Sequence, residues 1–349
     1  MALHTLRSDV LDVTVADLGA RLVAVLAPDR QGRPGHVVLG CDGEDDYRDA
    51  EGYLGATVGR VGGRIASGSF ELDGRRYDLA RNQPHATLHG GPGAFDQQVW
   101  EVEPGSGRRV VFRLTSPDGA NGFPGAVEAR AAYALDGADL RLELTATADA
   151  PTPVSLLNHA YFNLSGAASA EQGPLPTVED HVLRVPAGRY LAVGEGLLPT
   201  GEVAPVSGTP FDLRSPVRLG DVLDVEHPQL ELGGGLDHTL VLDGPEPGDP
   251  ATADGEVVDG MRLAAELTHP ASGRRMRLFT DRPALQVYAG GLLTRDLRLR
   301  GALTAVPRGG LCLEPQGFPD AVNHPGFPSV VLRPGETFRS RSLLRFTAA

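Results

Sequence analysis

The chain carries ten histidines and only five asparagines, and four of the five Asn lie near a His. Asn82 precedes His85 and His89, Asn158 adjoins His159, Asn163 follows shortly, and Asn323 adjoins His324. Imidazoles exchange protons near neutral pH, and amides both donate and accept hydrogen bonds, so such pairs suit a polar site. Asn also favours tight turns, which leaves a purely structural reading open. His85 and His89 are four apart, a spacing that on a helix would put two metal ligands on one face. Pro84 and Gly90-Gly91 argue against a helix there, and no third ligand sits nearby, so no metal site is expected. A His followed by two glycines suits a loop whose backbone closely approaches a ligand.

Three more clusters stand out. Residues 157–164 hold His159, Tyr161 and two amides among apolar side chains, and Asp237-His238 follows a glycine run. Glu314 ends the apolar run Gly310–Leu313, where burial would disfavour its charge, raise its basicity and make it a general-base candidate. There is no G-x-S-x-G nucleophile elbow, and the glycine-rich stretch 55–68 does not spell a dinucleotide fingerprint. What remains is imidazoles, carboxylates, amides, an Arg and aromatics. That set suits proton transfer on a neutral polyhydroxyl ligand, with aromatic faces against the apolar side of its ring.

Composition narrows the chemistry further. All 32 basic residues are Arg, so Schiff-base catalysis and a P-loop lysine are both excluded. The net charge of −13, with Arg spread along the chain, argues against nucleic acid or an anionic membrane as partner. Two cysteines, Cys41 and Cys312, make neither a disulfide framework nor a zinc spacing. The N-terminus lacks a basic segment followed by an apolar one, and no apolar run approaches the roughly 18 residues of a membrane span. A soluble cytoplasmic protein, monomer or homodimer, is expected.

The elements that must position these residues read as strands. Gly (45) and Pro (28) make up about a fifth of the chain, below the roughly 25–30% of low-complexity sequences, and 41% of residues are hydrophobic. Many turns with an adequate core predict an all-β protein. Strands are predicted at 11–15, 21–27, 36–39, 68–72, 75–79, 99–103, 109–115, 125–135 and 139–147. Others are predicted at 181–185, 239–242, 262–268, 276–280, 284–288, 310–314 and 338–346. Asp73-Gly74 and Asp136-Gly137-Ala138 are hairpin signals. Leu140, Leu142 and Leu144 alternate with Arg141, Glu143 and Thr145, the period of a half-buried strand. No long amphipathic helix is expected; 19–26 has some helical character, which Pro28 and the preceding Gly oppose. Residues 167–176 and 244–260 are expected as surface loops.

At these same residues the sequence resembles the aldose 1-epimerase, or galactose mutarotase, family over nearly its whole length. The matching segments are 55–66, Leu88-His89-Gly90-Gly91, Phe95-Asp96, 158–164, 198–202 and 208–212. They continue with Leu236-Asp237-His238, 285–291, Cys312-Leu313-Glu314, 318–328 and 332–336. The resemblance implies one large β-sandwich domain over 1–349, a supersandwich of the galactose mutarotase-like kind, with a sugar site in an open cleft. It implies an isomerase that interconverts the α and β anomers of free hexoses. Glu314 matches the base that takes the C1 hydroxyl proton, His159 the acid that protonates the ring oxygen, and His89 a second imidazole near that oxygen. Arg64, Asp237 and Gln286 match residues that bind sugar hydroxyls, and Tyr161 lies in the substrate-contacting segment. No cofactor or metal is implied, and the partner is a small-molecule aldohexose.

The chain departs from the family pattern at three places. The residue before the matched Arg is commonly Asn and here is Gly63; Thr commonly follows the Glu and here it is Pro315; Asn is common three after the Glu and here it is Gly317. Gly63 removes an amide beside the sugar, which bears on substrate preference. The chemistry explains the residue types. A cyclic aldose opens when the C1 hydroxyl loses a proton while the ring oxygen gains one, so a carboxylate and an imidazole suffice. The imidazole must begin protonated, and an ordinary His pKa of roughly 6.5 would allow that near neutral pH. Two alternatives use the same residues: a non-catalytic sugar-binding protein on this fold, or a glycoside hydrolase pairing Asp237 with Glu314 across roughly 5–9.5 Å.

Overall fold

A computed structural model of the chain describes all residues except 50–51, 167–172, 245–256 and 295. The expected loops at 167–176 and 244–260 therefore fall largely outside the described residues.

The main sheet has ten antiparallel strands. In spatial order it runs Glu101–Ser106, Arg109–Ser116, Val127–Asp136, Asp139–Ala148, Phe338–Ala348, Arg274–Thr280, Met261–His269, Val182–Arg184 and Val217–Arg218, with Val257–Val258 paired to Met261–His269. A six-stranded antiparallel sheet runs Tyr161–Phe162, Leu311–Gln316, Ala284–Tyr288, Asp237–Val241, Arg189–Val193 and Pro199–Pro205. A four-stranded sheet, Leu3–Arg7 to Pro34–His36, completes the larger architecture.

Side-chain alternation explains why the two large sheets pack together. Successive residues of a strand point to opposite faces. Leu140, Leu142 and Leu144 are buried while Arg141, Glu143 and Thr145 stay half-exposed, as their alternation predicts. They join Tyr133, Leu278 and Leu344 of the ten-stranded sheet and Leu285, Val287, Leu311 and Leu313 of the six-stranded sheet in one hydrophobic cluster. Each fully buried Leu of this kind contributes roughly 1.5–3 kcal/mol. The result is a large all-β sandwich.

The hairpin signals are realised. Asp73 and Gly74 both have positive φ, 51° and 76°, as a two-residue turn matched to strand twist requires. Residues 21–28 form a strand rather than a helix. Among the strands that no sequence pattern signals are Leu3–Arg7, Arg64–Ala66, Tyr161–Phe162, Arg189–Val193 and Pro199–Pro205. Pro199–Pro205 holds two prolines and a Gly, which suit an edge strand and mask its pattern. Residues 37–39 lie beyond the strand Pro34–His36 and bond to their neighbours through the isolated bridge of Val38 to Phe162 and single backbone hydrogen bonds. Short helices at Glu44–Asp49, Gly220–Leu223 and Pro228–Gly233 also have no amphipathic signature long enough to read. Among the described residues no helix is long and apolar enough to cross a membrane.

Candidate active site

The six-stranded sheet carries the candidate site residues on the face opposite its core. In Leu311–Gln316, Leu311 and Leu313 enter the core, so Cys312, Glu314 and Gln316 must point the other way. Register then aligns partners on that face: Gln286 lies opposite Glu314, Thr239 opposite Gln286, and Tyr161 and Tyr288 flank Cys312. Asp237 is opposite Tyr288. These side chains, apart from Cys312, line a cavity of ≈ 630 Å³ together with Tyr53, Arg64, Gln83, His89 and His159. All seven residues expected at a site, Glu314, His159, His89, Arg64, Asp237, Gln286 and Tyr161, line this one cavity.

Glu314 and His159 are both buried, and Oε1 of the first lies 3.5 Å from Nε2 of the second. Burial, and then the nearby charge of Asp237, push the Glu314 carboxyl well above the usual carboxylate range, with Arg64 opposing. Burial also raises Asp237, against Arg64 and a hydrogen bond from Gln286. The ordinary pKa expected of His159 is corrected here: burial pulls it down to about 4, so the imidazole of the ligand-free site is neutral at pH 7. Desolvation penalises an imidazolium whatever the sequence around it.

His89 belongs to a loop, with φ 53°. Its Nδ1 accepts the backbone N–H of Gly63 at 3.1 Å, and the His89 backbone N–H donates to the Gly63 carbonyl at 3.0 Å. A neutral imidazole that accepts at Nδ1 carries its proton on Nε2. Burial, followed by the charges of His159 and Arg64, holds its pKa well below the ordinary value. The next residue, Gly90, shows why glycine follows: a Cβ there would lie 2.0 Å from the Gly59 carbonyl oxygen.

The aromatic rings form a wall. Tyr161 stacks on His159 with centroids 5.2 Å apart, Tyr53 meets His89 edge-on at 4.6 Å, and the two imidazoles lie T-shaped at 5.3 Å. Polar contacts set the binding side chains. Arg64 Nε donates to Gln83 Oε1 at 3.0 Å. Gln286 Nε2 donates to Asp237 Oδ1 at 2.6 Å while its Oε1 accepts from Thr239.

The Asn–His pairs resolve differently from the imidazoles. Asn82 accepts from the Leu88 N–H and donates to the Leu88 carbonyl, bracing the strand before His89. Asn121 donates to the Gly90 and Pro92 carbonyls. Asn158 donates to the Gly55 carbonyl, and Asn163 to those of Pro176 and Gly309. These amides are scaffolding for the loops that carry the site. The Asp237-His238 pair is split by strand alternation: Asp237 lines the cavity and His238 is buried beside Phe211. His85 is exposed and outside the cavity.

Gln83, Thr239, Gln316, Tyr53 and Tyr288 went unread as site residues. Alternation from Glu314 would have found Gln316, while Tyr53 and Gln83 sit in loops whose approach no local pattern reveals. His159, Cys312 and Glu314 bring one possible metal-ligand atom each within 4.8 Å of one another. Burial first, then the neighbouring Glu314 carboxyl, pushes the Cys312 thiol well above its ordinary range, and a metal binds the thiolate form.

Comparison with known proteins agrees with this geometry. The aldose 1-epimerase family model matches residues 2–345. Galactose mutarotase of Homo sapiens is 40% identical over 99% of this chain and 93% of its own length. Aldose 1-epimerase of Escherichia coli K12 is 35% identical over 99% of this chain and 95% of its own. Among solved structures, an aldose epimerase homologue from C. elegans superposes with a TM-score of 0.88 at 28% identity, covering 100% of this chain and 99% of that one. Galactose 1-epimerase from Lactobacillus acidophilus gives 0.81 at 30% identity, covering 99% and 94%. Sequence, fold and the convergence of the matched side chains on one cavity agree, and the chain belongs to the aldose 1-epimerase family.

Proposed function

We propose that the chain is an aldose 1-epimerase acting on free hexoses such as galactose and glucose, working as one catalytic unit over residues 1–349, in the cytoplasm, as a monomer or homodimer. One observation carries the reading: a buried carboxyl and a buried imidazole face each other across 3.5 Å in a cavity lined with sugar-sized polar contacts.

The proton count fits the reaction. In the ligand-free site burial favours the proton on Glu314 and the neutral form of His159. Moving that proton across the pair gives a carboxylate and an imidazolium without exchange with solvent, and each charge offsets the other's cost. Arg64, whose charge favours the ionised carboxyl, assists. Glu314 then takes the C1 hydroxyl proton, the C1–O5 bond breaks as C1=O forms, and His159 gives its Nε2 proton to O5. The open chain now lies between a neutral carboxylic acid and a neutral imidazole, the protonation state the empty pocket already prefers. Rotation about C1–C2 and reversal of both transfers yields the other anomer. Acid–base assistance of this kind supplies roughly 10²–10⁴-fold.

The other residues orient the sugar. His89, protonated on Nε2, is a neutral donor toward the ring oxygen. Asp237, held by Gln286, and Arg64, held by Gln83, bind hydroxyls. Gln286 contacts a hydroxyl besides holding Asp237. Tyr161, stacked on His159, borders the sugar.

Polarimetry of freshly dissolved α-D-galactose and α-D-glucose tests the reading. Approach to anomeric equilibrium faster than in buffer, in proportion to enzyme, is the expected result. A rate equal to buffer with tight saccharide binding would establish a binding protein instead.

A further inference from the structure

Cys312 lies beneath His159 and takes no part in the proton exchange above. It is fully buried, and its Sγ is 3.5 Å from Nδ1 of His159, the ring nitrogen on the far side from Glu314. We propose that Cys312 is a positioning residue: its sulfur accepts the Nδ1–H of His159 and so reserves Nε2 for the proton exchanged with substrate. The inference rests on the mutarotase reading of the site.

The geometry leads there in three steps. Nε2 must hold a proton when the ring acts as acid and lack one while the sugar is open. A neutral imidazole keeps one proton, so in the open-chain state that proton is on Nδ1. Which nitrogen is protonated follows from the partner that the other one meets. Here that partner is sulfur, and the ring also bonds its own backbone, which favours the charged form. The Cys312 side chain meets Tyr161 as well, and Tyr161 stacks on His159 at 5.2 Å, so sulfur and phenol fix the ring plane together.

The choice of sulfur has a consequence. A carboxylate beneath Nδ1 would stabilise the imidazolium and hold the proton. A thiol kept neutral by burial is a weak acceptor that orients without adding charge. His159 therefore stays a strong acid when protonated. The titratable and charged groups that meet its ring from neighbouring elements are Glu314 and Cys312 on one strand, Tyr161 and Tyr288 on the flanking strands, and Tyr53 and His89 from loops.

The test joins nitrogen-15 NMR of the imidazole with kinetics, on the full chain. Wild-type protein at pH 7 is expected to show His159 neutral with the proton on Nδ1. Cys312→Ala is expected to lower kcat roughly tenfold to hundredfold, as loss of an orienting partner does, with KM little changed and a mixture of tautomers in the spectrum. Cys312→Ser, which keeps an acceptor, is expected to restore kcat and the single tautomer. Cys312→Asp is expected to move the His159 midpoint upward and carry the pH profile of kcat with it. A wild-type His159 protonated on Nε2 alone overturns the proposal, as does a Cys312→Ala protein with unchanged kcat and an unchanged imidazole spectrum. The wild-type spectrum gives its answer whether or not any variant folds. It also gives it if the protein proves inactive on sugars, a result that would remove the functional reading separately.

Discussion

Oε1 of Glu314 and Nε2 of His159 face each other across 3.5 Å with almost no exposure to water. Neither charged form is favoured alone: burial raises the carboxyl well above its ordinary range and lowers the imidazole to about 4. One proton moving between them passes from a neutral pair to an ion pair. In the proposed reaction this pair trades a proton with the bound ring at both ends, with no net exchange with solvent.

Histidine titration follows directly. Burial lowers His159 and His238 to about 4 and His181 to about 3. NMR should show none of the three titrating near pH 6.5. Their folded values lie below the unfolded one, so the unfolded chain takes up protons first as pH falls. Their combined contribution to stability is therefore lost progressively from about pH 6.5 down toward their folded values. Midpoints near 6.5 for these rings would contradict the burial described.

Glu314→Gln should stabilise the fold at pH 7–8. A carboxyl whose folded pKa is raised favours folding below the unfolded value and loses that contribution as pH rises through the folded value. The amide has no such penalty. A gain on the order of 1 kcal/mol in denaturant unfolding is expected, as when a functionally strained group is relieved. A variant less stable than wild type at pH 8 would count against the buried charge.

Asp237→Asn separates two roles. Removing the like charge lowers the Glu314 carboxyl toward its ordinary range, so the pH profile of kcat should shift to more acidic pH. Loss of a sugar-binding carboxylate should raise KM at the same time. An unmoved profile would mean that the two carboxyls are not coupled.

Gln83→Ala should act on binding. Gln83 Oε1 accepts a hydrogen bond from Arg64 Nε–H at 3.0 Å, and Gly63, which precedes Arg64, has no side chain to assist. A KM rise of roughly fivefold to tenfold, about 1–1.4 kcal/mol for one lost hydrogen bond, is expected with kcat nearly unchanged. Equal loss in kcat would place Gln83 in the chemical step instead.

Much of this site was legible in the sequence, for reasons particular residues make plain. Glu314 at the end of an apolar strand signalled a buried carboxylate, and the structure shows it 2% exposed. The hairpin at Asp73-Gly74 and the alternation from Leu140 to Thr145 reported local physics that packing did not override. The pKa of His159 was not legible, because the rings that bury it include Tyr53 and Tyr288, which lie far from it in the chain. Gln83 escaped for the same reason: its bond to Arg64 spans a loop crossing rather than a spacing. The Asn residues near His left a polar site and turn chemistry both open, and Asn82, Asn158, Asn163 and Asn323 all donate to backbone carbonyls.

The most direct test of the central claim is the anomer exchange rate of D-galactose, followed by one-dimensional NMR saturation transfer between the α and β H1 signals, in wild type and Glu314→Gln. Enzyme-dependent exchange is expected in wild type, and a loss of at least about a hundredfold in the variant, with the sugar still bound. Full exchange catalysed by the Gln variant would contradict it, because no other carboxyl would then need to stand across from His159.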